Sequence, residues 1–343
     1  MTGSAPKAPV WMGWATAAIV VVVMAGAFEL ACRTVLDTGT QYHIEMWKYA
    51  VEAKQVAADP AIGHENKPNA RAHLMNTDVA INSTGDRNGE VSTPKPPGTF
   101  RIAMLGDSLT FGWGVEQADT FTEIVERDLY AKGYANVETV NLGVGNYNTS
   151  MEVTAFLKRV DRLQPDFVVL NYFINDAEPT PRYSPLPWYA RTFYAYPIVG
   201  GAWDALKRAV LGSPDWKDYY AALYKPGAAG WQQTQAAIKR LADQCRARGI
   251  PLVMVNLPEL RELAPYPFTE VNRMVEAAAQ DAGVAYIDML PVLANEQPST
   301  LWVTVPDPHP NAKAHALIGH ALADDLEPYV AKADDHITPS VDK

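Results

Sequence analysis

Cysteine is scarce in this sequence: two residues in 343, Cys32 and Cys245. Cys32 borders the first apolar run and Cys245 falls inside a predicted helix, so a bridge between them is not expected. No CxxC or Cys/His cluster offers a structural zinc site, and metal is not expected. Positive charge is also in short supply. Lys and Arg number 29 against 39 Asp and Glu, a net charge of −10. No basic run or arginine-rich helix offsets this, and an acidic surface repels phosphate backbones, which argues against nucleic acid as a partner. The glycine motifs that cradle cofactor phosphates are missing too. Neither GxGxxG nor GxxxxGK[ST] follows the first predicted strand, so no cofactor is expected, and no GxSxG elbow marks an α/β-hydrolase. There is no internal repeat. Hydrophobic residues at 48% and charged residues at 20% give the balance of a globular chain with a full core.

Charge is absent from Val10 to Phe28, which reads VWMGWATAAIVVVVMAGAF. As a helix this stretch would extend about 28 Å, close to the hydrocarbon thickness of a bilayer. Trp11 and Trp14 stand at its start, where indoles favour the interface. Lys7 precedes it, whereas Glu29, Arg33 and Asp37 follow. This asymmetry predicts a cytoplasmic amino terminus (1–9), a single-pass anchor in the cytoplasmic (inner) membrane (10–28), and the rest on the periplasmic or extracellular side. The alternative is a signal peptide cleaved after Ala25-Gly26-Ala27, which would secrete the remainder. Both readings export the chain beyond.

Residues 29–98 are expected to form a juxtamembrane helix and an extended linker. Glu29 to Ala58 has helical patterning, with Glu45, Lys48, Glu52 and Lys54 as a solvated face. Asp59 to Gly98 is rich in Pro, Asn and Gly and predicts an extended stretch packed on the main domain. From Thr99 the pattern changes. Apolar runs at 100–105, 137–142, 166–173, 251–257 and 284–289 alternate with amphipathic stretches at 120–132, 150–163, 229–248, 269–282 and 311–331. Continuous apolar strands between helices predict an α/β fold: a three-layer α/β/α sandwich with a parallel five-stranded sheet, flavodoxin-like, over residues 99–332. Residues 333–343 are expected to be a flexible tail. The alternation breaks at about 178–231, which holds four of nine Trp and seven of sixteen Tyr. This insertion is either a cap shaping an acyl or glycan pocket, or a helical subdomain whose aromatics form its own core.

Ligands of open parallel sheets bind beyond the carboxyl ends of the strands. There the chain carries Gly106-Asp107-Ser108-Leu109-Thr110, then Asn141 to Tyr147, then Asn175-Asp176, and finally Asp307-Pro308-His309-Pro310-Asn311. GDSLT, the ND step and the HPN step, in this order, resemble the SGNH/GDSL hydrolase family over about Thr99 to Val330. The resemblance implies a serine esterase or O-acyltransferase acting on an acyl ester through an acyl-Ser108 intermediate. Ser108 would be the nucleophile, His309 the base and Asp307 the group that fixes the imidazole tautomer. The oxyanion donors would be the Ser108 backbone N–H, a backbone N–H of the second block at Asn146 or Gly145, and the Asn175 side-chain amide.

Three departures from the family pattern stand out: Asn146 where a glycine is usual, Phe173 at the start of the third block, and DxH instead of DxxH, with Pro306 in place of the usual Asp. Asp176 is expected to pin its loop, and His315 and His320 to lie on the last helix as packing or surface residues. For an exported, anchored enzyme the implied ester is an O-acetylated glycan or a lipid of the envelope. The rival reading is a non-catalytic or weakly catalytic subunit of an envelope complex, docked through its helix and aromatic insertion. The sequence leaves protein partners open.

Overall fold

The protein was analysed as a computed structural model that describes residues 9–181, 183–305 and 307–337. Lys7, the Pro306 departure and residues 338–343 of the expected tail lie outside the described residues. Helix α1 (Val10–Ala31) takes up the uncharged stretch and runs on through a π turn at Cys32–Leu36. It is long and apolar enough to cross a membrane, and almost none of it is buried. Helix α2 (Tyr42–Lys48) and a second π turn (Tyr49–Ala53) lead into two antiparallel hairpins. These are β1 (Lys54–Val56) with β2 (His64–Asn66), and β3 (Arg71–Leu74) with β4 (Thr77–Ala80). The expected solvated helical face on 29–58 is not observed. Glu45, Lys48 and Lys54 are all buried, because they pack inward and Lys54 begins a strand.

The alternating part follows in chain order: β5 (Phe100–Leu105), α3 (Ser108–Phe111), α4 (Phe121–Ala131), β6 (Val137–Asn141), α5 (Thr149–Leu157), α6 (Val160–Leu163) and β7 (Phe167–Phe173). The insertion carries α7 (Trp188–Thr192), α8 (Ala195–Leu211) and α9 (Trp216–Leu223). Then come α10 (Ala229–Ala247), β8 (Leu252–Leu257), α11 (Thr269–Asp281), β9 (Ala285–Asp288) and α12 (Leu290–Leu293). The hairpin of β10 (Trp302–Thr304) and β11 (Asp307–Pro310) precedes the last helix, α13 (Ala312–Ile337).

Strands β6-β5-β7-β8-β9 form one five-stranded sheet, parallel throughout. Renumbered within the sheet this is the order 2-1-3-4-5, the flavodoxin-like arrangement. Because side chains alternate across a strand, β5 sends Ile102 and Met104 to one face and Ala103 and Leu105 to the other. On the first face they meet Val125 and Leu129 of α4 and Ile318 and Leu322 of α13. On the second they meet Val153 and Phe156 of α5 and Ile238 and Leu241 of α10. Burial on both faces is why these strands are continuous apolar runs without a polar alternate.

The chain divides into two compact units. One is Met1–Trp47 with Leu186–Gly212; the other is Lys48–Pro185 with Ser213–Lys343. The aromatic insertion is therefore split. Trp216, Tyr220, Tyr224 and Trp231 join the core of the central sheet, whereas α7 and α8 belong to the unit of α1.

Candidate active site

Strand β5 delivers Asp107 and Ser108 to the carboxyl edge of the sheet. Gly106 before them must be glycine, since a Cβ there would stand 2.0 Å from Thr110 Oγ1. The Asp107 carboxylate accepts the Leu109 N–H at 2.8 Å and so caps α3. Asp107 is almost wholly buried. Burial pushes its carboxyl up from the usual range, against the Leu109 N–H and the charge of His309, which favour ionisation. Helix α3 stops after one turn at Gly112, φ +81°. The buried Arg87 guanidinium holds the carbonyls of Phe111, Gly112 and Val115 just beyond it.

Ser108 Oγ lies 2.9 Å from His309 Nε2. His309 Nδ1 is 2.5 Å from Asp307 Oδ1, and the other oxygen, Oδ2, accepts Trp113 Nε1–H at 2.9 Å. The DxH spacing needs no tight turn, because Asp307 and His309 sit on strand β11. Residues two apart on a strand point to the same side, so carboxylate and imidazole face each other. Burial would raise the Asp307 pKa, but the hydrogen bond and charge of His309, with the Trp113 N–H, outweigh it and hold the carboxyl below the usual range. Asn311 fixes the hairpin by donating to the Thr300 and Trp302 carbonyls, and it caps α13 by accepting the Ala314 N–H.

The second block forms a loop after β6. Gly143 passes against the backbone of α3, where a Cβ would be 2.2 Å from Phe111 N. The Gly145 N–H donates to Tyr49 Oη at 2.9 Å, so this amide is already committed. Asn146 takes the left-handed φ of +66°, a conformation asparagine adopts more readily than most residues. Its N–H, like that of Ser108, has no hydrogen-bond partner among the described residues. Three buried side chains from β1 and β2 hold this loop from behind. Lys54 Nζ donates to Gly145 O (2.5 Å) and Asn146 Oδ1 (2.8 Å), His64 Nε2 donates to Gly145 O (2.9 Å), and Asn66 Nδ2 donates to Gly143 O (3.1 Å). Burial lowers the Lys54 pKa to about 7. Burial, with the Lys54 charge beside it, lowers that of His64 to about 3.

Asn175 lies in the short turn that follows β7 (Ile174–Ala177), with Oδ1 buried and without a hydrogen-bond partner among the described residues. Asp176 braces this turn, accepting Phe173 N–H and Thr149 Oγ1–H. Tyr224 and Thr234 donate to the carbonyls of Ile174 and Asp176. His315 is buried in α13, stacks on Phe121 and accepts its N–H; His320 is exposed and faces Asp128. Neither joins the cluster. What the sequence did not reveal is the supporting ring of Trp113, Arg87, Tyr49, Lys54 and His64. Trp113 alone had a local cue, as an indole five residues beyond Ser108.

The sequence profile of the GDSL-like lipase/acylhydrolase family matches residues 104–317, well over half of the chain. The chain belongs to this family. It is accordingly a hydrolase acting on ester bonds. No curated protein matches the sequence.

Solved structures with a similar fold include three esterases or lipolytic proteins. A lipolytic protein of the G-D-S-L family from Desulfitobacterium hafniense is 14% identical, covering 66% of this chain and 99% of its own, with a TM-score of 0.42. A psychrotrophic esterase from Pseudoalteromonas sp., inhibited by monoethylphosphonate, is 14% identical over 67% of this chain and 98% of its own (TM-score 0.40). An acetylxylan esterase from Geobacillus stearothermophilus is 13% identical over 67% and 94% (TM-score 0.43).

Proposed function

We propose that the protein is a membrane-anchored serine esterase that cleaves an O-acyl ester of the cell envelope through an acyl-Ser108 intermediate. The observation that carries this reading is the continuous contact from Ser108 Oγ to His309 to Asp307. His309 Nε2 takes the hydroxyl proton as Oγ attacks the acyl carbon, and returns it to the departing alcohol as the ester C–O bond breaks. Water, deprotonated by the same nitrogen, then releases the acid and frees Ser108. Asp307 holds the Nδ1–H tautomer and offsets the charge of the imidazolium. The backbone N–H groups of Ser108 and Asn146 and the Asn175 amide are the oxyanion donors. Asn146 is preferred to Gly145 because the Gly145 amide is bonded to Tyr49. The exposed apolar α1 supports retention in the membrane, and the flanking charges, Lys7 before it and Glu29, Arg33 and Asp37 after it, favour export of the hydrolase unit.

The full-length protein in detergent is expected to hydrolyse p-nitrophenyl acetate and to be labelled on Ser108 by a fluorophosphonate. The His309→Ala variant should lose the labelling. A Ser108→Ala variant with wild-type turnover would remove the mechanism.

A further inference from the structure

Helix α8 is amphipathic in the opposite sense to a helix of a water-soluble unit. Its Gly201 side faces inward: a Cβ there would meet the His43 ring at 2.7 Å. Its apolar stripe faces outward. Tyr196, Val199, Trp203, Leu206 and Val210 recur at spacings of three and four, on one side of the helix, and every one of them is exposed, Val210 by 72%. Such a stripe is too costly to leave in water without a partner, and the same unit shows what that partner is.

The stripe continues the surface of α1. Val22, Ala25, Gly26 and Phe28 share with Phe193 and Trp203 an open apolar groove of about 1050 Å³. These α1 residues lie in its last three turns, which places α8 within about 10 Å, along the helix axis, of the end of the apolar stretch. Polar contacts lock this placement. Glu29 accepts the N–H groups of Tyr194 (3.0 Å) and Ala195 (2.9 Å), satisfying orphan donors at the start of α8. Arg33 donates to Thr192 O (2.6 Å) and to Glu29 Oε1 (2.6 Å), and it lies over the Tyr194 ring. Trp47 Nε1 donates to Ala190 O at 2.5 Å. Aromatic side chains at the end of a span are placed where indole and phenol rings favour the bilayer interface.

We infer that α7 and α8 form an interfacial membrane element. The apolar stripe of α8 lies among the acyl chains at the edge of the leaflet that the carboxyl end of α1 crosses, and phospholipid acyl chains fill the groove between the two helices. This rests on α1 being a retained membrane span; a chain cleaved after Ala27 would lose most of one groove wall.

The test uses the full-length protein, Cys32→Ala and Cys245→Ala, in phosphatidylethanolamine/phosphatidylglycerol liposomes. A bimane label is placed in turn at Val20→Cys, Trp203→Cys, Val210→Cys and Arg208→Cys. Lipids carrying a spin label near the headgroup should quench positions 203 and 210 roughly twofold more than lipids labelled deep in the chain, as an interfacial helix requires. Position 20 should show the reverse preference, and position 208 should respond to aqueous iodide. If 203 and 210 respond to iodide and to neither lipid while 20 is quenched, the inference falls and the anchor stands. If 20 is also unquenched, the anchor reading falls with it. Bimane at 203 and 210 shielded from both lipid and iodide, with disulfide-linked dimers, would instead assign the face to a second copy. Should the cysteine variants fold poorly, unmodified protein can be compared with Trp188→Phe/Trp203→Phe using brominated lipids. Equal tryptophan quenching in the two would equally overturn the proposal.

Discussion

At the scale of single residues the site depends on how the Asp307 carboxylate is satisfied. Its two oxygens have separate partners, His309 Nδ1 and Trp113 Nε1, and Trp113 is itself almost completely buried. Trp113→Phe keeps most of the packing and removes the N–H, leaving one buried carboxylate oxygen without that donor. A hydrogen bond to a charged group contributes about 1.5–3 kcal/mol. The loss is expected to appear mainly in the orientation of His309, as a fall in kcat of roughly 10- to 100-fold. Asp307→Asn should cost more, because it also permits the wrong imidazole tautomer. KM for p-nitrophenyl acetate should be little changed in both. A Trp113→Phe enzyme with wild-type kcat would show that Oδ2 needs no partner. The same pair shows why the sequence spoke clearly about some residues and not others. Ser108, His309 and Asn175 sit in contiguous motifs. Trp113 becomes functional only through a contact 194 positions away.

Among the elements, the five sheet strands were legible because a strand buried on both faces has to be an unbroken apolar run. Observed strands such as Phe100–Leu105 and Phe167–Phe173 start and stop within a residue of those runs. The strands β1 and β2 were not legible. They are short, polar and rich in charge, and their place is set by the loop after β6 rather than by local periodicity. Lys54 and His64 meet Gly145 from 91 and 81 positions away. Helix α8 shows a related limit, since an apolar stripe in sequence looks the same whether it faces a core or a lipid.

The loop held by the β1–β2 hairpin makes a sharp prediction at Asn146, whose φ of +66° is the left-handed region. An alanine there should cost about 1–2 kcal/mol of stability and lower kcat as the N–H drifts from the oxyanion position. Asn146→Gly, the residue usual in the family, should keep kcat within a few fold while losing the Lys54 contact. Parallel unfolding and turnover measurements on the two variants check this. Equal stability of both would mean that the backbone conformation does not select the residue.

Over the whole molecule, the buried ionisable groups on and behind the sheet edge set opposing dependences on pH. His64 and His315 both have pKa values lowered to about 3 from 6.5, chiefly by burial. The unfolded chain therefore takes up protons below about pH 6.5 that the folded one refuses, and stability falls as pH drops through that window. Glu152 acts in the other direction. Both of its carboxylate oxygens lack hydrogen-bond partners among the described residues, and it is 3% exposed. Burial, then the charges of Asp176 and Asp107, push its pKa well above the usual 4.5. Folded Glu152 keeps its proton where the unfolded chain has released it. Its favourable contribution is thus complete below pH 4.5 and is lost as pH rises toward the folded pKa, at up to about 1.4 kcal/mol per unit. Glu152→Gln has nearly the same shape and stays neutral at every pH, so it lacks this dependence, while the histidine contributions are common to both proteins and cancel in the comparison. Denaturant unfolding of the two proteins in detergent from pH 4 to 8 should give curves that diverge, with the variant gaining on the wild type at each step above pH 4.5. Curves that stay parallel over the whole range would mean that Glu152 ionises normally, and that the space around it is wet enough to solvate a charge.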